Sequence, residues 1–117
     1  MKRAPRFPMN ARILVVDDTQ ANVFLMDSIL RSEGFTEVWT TGDPREVKPL
    51  QDKLGFDLII LDINMPHMNG FQVLEALADD IRSSGLRVMV ITALSDWNTR
   101  LQAMELGAGD FITLPYE

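Results

Sequence analysis

The sequence predicts one α/β domain, a parallel sheet with helices on both faces. Three observations carry this. Continuous apolar runs rich in β-branched residues recur at Ile13-Leu14-Val15-Val16, Leu58-Ile59-Ile60-Leu61 and Val88-Met89-Val90-Ile91, the pattern of strands buried on both faces of a parallel sheet. Between them, apolar residues recur at helical spacing. The two patterns alternate as β-α-β-α-β-α-β-α-β within 117 residues, which is the size of one compact domain.

Each element has its own local justification. Lys2, Arg3 and Arg6 are interrupted by Pro5 and Pro8. No apolar h-region follows them, since Ala11 to Val16 runs straight into Asp17-Asp18, so residues 1–10 read as a flexible leader, not a signal peptide, and the domain spans 11–117. After the first strand, Val23, Met26, Ile29 and Leu30 form a helical stripe with Gly34 as its stop signal. Glu37-Val38-Trp39-Thr40 is a weaker strand suited to a sheet edge. Asp43-Pro44 starts a helix, Asp as N-cap and Pro in the first turn, and Pro49 should keep that helix short or bent. Leu74, Leu77, Ala78 and Ile81 make the next stripe, ending near Gly85. Trp97, Leu101, Met104 and Ala108 make the last, opened by Ser95 or Asp96 and closed near Gly107. Phe111-Ile112-Thr113 is a second weak strand. Right-handed crossovers restrict how these parts can be joined.

Composition removes several classes of function. The chain has no cysteine, which excludes disulfides and thiolate metal sites and suits a reducing cytoplasm. A formal net charge of −6, with no cluster of Lys and Arg in the folded region, argues against direct nucleic-acid binding. No apolar run approaches the ~20 residues needed to span a bilayer. His67 is the only histidine; with no second imidazole or thiol it reads as an exposed loop residue.

In doubly wound sheets, chemistry sits beyond the carboxyl ends of the strands. Asp17 and Asp18 follow the first strand, Asp62 ends the third and Thr92 ends the fourth. Clustered carboxylates repel, and a hard divalent cation relieves them; Mg²⁺ suits because it prefers oxygen and takes few ligands from protein. Such a metal would polarise an incoming phosphoryl group, and a carboxylate could attack it to form an acyl phosphate.

Four segments together resemble the receiver domains of response regulators in two-component signalling. They are Leu14-Val15-Val16-Asp17-Asp18, Asp62-Ile63-Asn64-Met65-Pro66-His67-Met68-Asn69-Gly70, Ile91-Thr92-Ala93 and Glu105-Leu106-Gly107-Ala108-Gly109-Asp110-Phe111-Ile112. The resemblance implies a flavodoxin-like, five-stranded parallel sheet of order 2-1-3-4-5. It implies Asp62 as phosphoacceptor, Asp18 and Asp62 as side-chain ligands of Mg²⁺, Asn64 as a ligand through its carbonyl, and Asp17 as a ligand through water. Thr92 and Phe111 take the places of the switch hydroxyl and switch aromatic. The implied partners are a sensor histidine kinase or phosphotransfer protein and an output domain or downstream partner, with a homodimer also allowed. The implied role is a switch and not an enzyme.

Two departures from that family stand out. Its lysine before the proline after the last strand is here Leu114, in Thr113-Leu114-Pro115, a bond expected to be cis. The family also continues into a final helix, whereas this sequence stops at Glu117, so a fragment or a receiver without that helix is expected. Leu114 supports an alternative, a pseudo-receiver that docks partners with little or no phosphorylation. A small Mg²⁺-dependent phosphatase is disfavoured, because Asn64 stands where a second acid would be needed.

Overall fold

The computed structural model describes residues 8–63, 65, 68–93 and 97–114, of which 92, 93, 97 and 111–114 are described through their backbone. Strands β1 (Arg12–Val16), β2 (Glu37–Thr41), β3 (Leu58–Asp62), β4 (Arg87–Ala93) and β5 (Asp110–Leu114) alternate with helices α1 (Gln20–Ser32), α2 (Val47–Leu54), α3 (Gly70–Ala76), α4 (Ala78–Ser83) and α5 (Trp97–Glu105). All strands are parallel, in the expected order β2-β1-β3-β4-β5. The two weak strand patterns are the two edges.

Alternation along the strands sends successive side chains to opposite faces. Leu14, Val16, Ile59, Leu61, Val88 and Val90 form one buried cluster with residues of α2, α3 and α5. Ile13, Val15, Leu58, Ile60 and Ile91 form the other with Met26 and Leu30 of α1.

Three helices differ in detail from their sequence patterns. Asp43 does accept a hydrogen bond from the Arg45 amide, but Pro44–Glu46 form a short 3-10 helix, and α2 begins only at Val47. Pro49 therefore lies in the first turn of α2, where its missing N–H has no intrahelical partner to lose. The third helical stripe is divided at Leu77 (φ −95°, ψ 2°) into α3 and α4. In α5, Leu101 and Met104 are 48% and 40% exposed, and it is the small Ala103 that is buried against the sheet. Gly34 ends α1 as expected, with φ 106°.

Surface charges also tie elements together. Lys48 of α2 bonds Asp52 and Asp80, both at 2.8 Å, joining α2 to α4. Arg31 of α1, held by Asp27 at 3.0 Å, donates to the carbonyls of Thr36 (3.5 Å) and Val38 (3.3 Å). The Thr41 carbonyl faces β1, so by alternation the Val38 carbonyl lies on the outer margin of β2. Among the described residues, no helix is long and apolar enough to cross a membrane.

Candidate functional site

Pairing of β1 with β3 sets Val16 beside Leu61, so Asp17 and Asp62 leave the sheet side by side. Carboxylate oxygens of Asp17, Asp18 and Asp62 lie within 4.8 Å of one another. Asp17 is 1% exposed, Asp62 is half-buried and Asp18 is open to solvent. None of the described ion pairs involves Asp17 or Asp18.

Asp17 is fixed at two points and leaves one oxygen over. Its amide donates to the Thr41 carbonyl at 3.1 Å, extending the β1–β2 ladder one residue past the strand. Its Oδ1 accepts from the Thr19 amide at 2.9 Å, closing the turn into α1. Among the described residues its Oδ2, which is buried, has no hydrogen-bond partner. Buried polar atoms are normally satisfied, so this oxygen is unspent ligand capacity.

The segment after Asp62 is held just as closely. The Ile63 amide donates to the Ile91 carbonyl at 3.3 Å, and the Gly70 amide returns to the Ile63 carbonyl at 2.9 Å. Asn69 and Gln72 form a reciprocal capping box at the start of α3. A Cβ on Gly70 would stand 2.7 Å from Ile63 Cα and 3.1 Å from the Asp62 carbonyl oxygen. Only glycine lets α3 approach the phosphoacceptor candidate this closely.

The structure thus brings together Asp17, Asp18 and Asp62. Thr92 lies on β4 one residue beyond Ile91, the partner of Asp62, and pairs with Thr113. Phe111 pairs with Val90, and Leu114 pairs with Ala93 at the end of the sheet. The side chains of Thr92, Trp97, Phe111 and Leu114 lie outside what is described, as do residues Asn64, Pro66, His67, Ser95, Asp96 and Pro115. The sequence reading missed the roles of Gly70 and Thr41. The Asn69…Gln72 spacing could have flagged the helix start, but the close approach of Gly70 is a tertiary fact.

A groove of about 630 Å³ runs from Asp17 and Asp18 between α1 and β2, past Phe24, Asp27, Val38 and Thr40. Phe24 is 74% exposed along it. Asp62 does not line this groove, so the chemistry belongs to the carboxylate cluster at its mouth.

The donor set is all oxygen, carries three carboxylates and includes one buried oxygen without a partner. Unit charges of like sign ~4 Å apart repel by about 4 kcal/mol at the effective dielectric of a protein surface. A hard divalent cation fits such a set, since it takes oxygen ligands and offsets that repulsion.

Residues 13–117 match the response regulator receiver domain family, and the chain belongs to it. It is 42% identical over 109 residues to the response regulator PleD of Caulobacter vibrioides, covering 93% of this chain and 24% of that protein. It is 35% identical over 109 residues to the DNA-binding response regulator MtrA of Mycobacterium tuberculosis, covering 93% of this chain and 46% of that protein. The chain therefore spans between about a quarter and about half of these relatives. Among solved structures, the chemotaxis response regulator CheY4 of Vibrio cholerae superposes with a TM-score of 0.82 at 28% identity, covering 92% of this chain and 89% of that one.

Proposed function

We propose that this receiver accepts a phosphoryl group on Asp62 and thereby switches an attached output domain or a downstream partner. The observation that carries this reading is the convergence of three carboxylates within 4.8 Å at adjacent strand ends, one with a buried, unpartnered oxygen. Asp18 and Asp62 would hold Mg²⁺ directly, with Asp17 reaching it through water and Asn64 adding its carbonyl. When bound, the metal supplies positive charge that polarises the phosphoryl group and stabilises its transfer. An Asp62 oxygen then attacks phosphorus, the P–N bond of a kinase or phosphotransfer phosphohistidine breaks, and an acyl phosphate forms. By the family resemblance, Thr92 would bond a phosphoryl oxygen as the switch hydroxyl, and Phe111 would follow it as the switch aromatic. The domain acts as a cytoplasmic switch without turning over a substrate of its own.

The test is incubation with acetyl phosphate and Mg²⁺, followed by mass spectrometry. A single phosphoryl adduct on Asp62 is expected, and label retained in Asp62→Asn sinks the assignment.

One residue favours a second reading, a docking module that takes phosphate slowly or never. Leu114 stands where the family has lysine, at the last paired position of β5, and cannot donate to a phosphoryl oxygen. Hydrogen bonds to charged groups contribute roughly 1.5–3 kcal/mol, equivalent to about 10- to 150-fold. Leu114→Lys should raise the labelling rate and the affinity for beryllofluoride within that range. If neither quantity changes, the charge argument is wrong.

A further inference from the structure

We infer that Thr41 is a positioning residue for the carboxylate cluster, acting through Asp17 and anchored in turn by Glu46. The inference rests on the metal-dependent reading above. Thr41 is the last residue of β2 and is 8% exposed. Its carbonyl receives the Asp17 amide, the last bond of the β1–β2 ladder. Its hydroxyl works in the other direction, donating to Glu46 Oε1 at 2.6 Å and accepting from the Asp43 amide at 3.1 Å.

A terminal ladder bond is the one most prone to fray, because no further pairing follows it. Here the chain turns away immediately after Thr41. The turn is closed by the Glu46 amide on the Asp43 carbonyl at 3.0 Å and by the Asp43 side chain on the Arg45 amide. Val47, fully buried, then fixes the start of α2 in the core. Glu46 is thus mounted on a rigid support, and through the Thr41 hydroxyl it holds the Thr41 carbonyl against Asp17. Asp17 is in turn the member of the cluster that carries the unpartnered oxygen. Asp17 would meet the metal through water, and loss of such outer partners typically costs about 10- to 100-fold in metal affinity.

Three variants test this: Thr41→Val, which keeps shape and removes the hydroxyl; Glu46→Ala, at an exposed position; and Thr41→Ser, which keeps the hydroxyl. Two quantities are read in each, Mg²⁺ affinity by calorimetry and hydrogen exchange of the Asp17 amide without metal. Thr41→Val and Glu46→Ala should weaken Mg²⁺ binding by about tenfold and speed Asp17 exchange by about tenfold, the scale of one lost hydrogen bond. Thr41→Ser should restore both. Gln51→Leu serves as a control for general destabilisation, since it removes the acceptor for the Phe56 amide at the opposite end of the sheet. Unchanged Asp17 exchange in Thr41→Val overturns the inference, as does a Gln51→Leu variant that loses Mg²⁺ affinity equally. If the parent protein binds no Mg²⁺, the functional reading fails, while the exchange measurement still decides whether Thr41 positions Asp17.

Discussion

The two ends of the sheet treat their polar groups in opposite ways. At the amino ends of the strands, groups satisfy one another. The Arg12 amide donates to Asp57 Oδ2, the Asp57 amide donates to the Arg12 carbonyl, and the Arg87 amide donates to the Asp57 carbonyl. Arg12 Nη1 bonds the Leu54 carbonyl, and Gln51 Oε1 takes the Phe56 amide. At the carboxyl ends, three carboxylates crowd together and one oxygen is buried without a partner. One rim uses its hydrogen-bonding capacity to hold the fold. The other keeps capacity in reserve for something that binds, which is how a stable scaffold comes to carry a less stable site.

Changes at each rim should therefore separate stability from activity, and the largest effect is expected at Gly70. Gly70→Val pushes α3 off the Asp62–Ile63 backbone, and forced overpacking costs roughly 1–3 kcal/mol. Both the urea midpoint and the acetyl-phosphate labelling rate should fall. A variant that keeps its labelling rate would show that the close approach does not position Asp62. Next in size is Asp57→Ala, which removes an acceptor at the structural rim. Loss of about 0.5–1.5 kcal/mol of stability with unchanged labelling is expected; slower labelling would mean that the two rims are coupled.

Smaller still is Asp18→Asn. Removing one of three crowded charges should stabilise the metal-free protein by about 0.5 kcal/mol, on the scale of exposed charge interactions. The same change should abolish most of the rise in thermal midpoint that Mg²⁺ confers on the parent. A metal-free variant less stable than the parent would contradict the picture of repulsion. The smallest effect concerns Lys48, whose bonds to Asp52 and Asp80 raise it above the usual lysine range. A raised value means the contribution is fully present below the ordinary lysine pKa and fades only as pH climbs through the raised one. Lys48→Met should thus lower stability slightly and equally from pH 6 to 9. A difference that changes within that window would point to another titrating group.

Much of this was legible because the residues declare themselves locally. The runs at β1, β3 and β4 are continuous and apolar, and Asp17 and Asp62 terminate two of them, so strand pairing alone places them together. The α5 stripe misled for a physical reason. Ala103 is small enough to lie flat on the sheet, so the larger Leu101 and Met104 remain outside. Pro49 looked disruptive only because the 3-10 helix of Pro44–Glu46, which delays the start of α2, has no periodicity to reveal it. Thr41 is an ordinary strand-end threonine until its hydroxyl is seen to donate a hydrogen bond to Glu46.

Arg31, which also lines the groove between α1 and β2, has a consequence for the margin of the sheet. An edge strand with free carbonyls is a template on which another chain can pair. Here a guanidinium already held by Asp27 occupies the carbonyls of Thr36 and Val38. A strand arriving at β2 must first displace its two Nη groups, which then have to be rehydrated. The helix that packs one face of the sheet thereby also discourages growth at its margin, and copies of the protein have less reason to join edge to edge in a crowded solution.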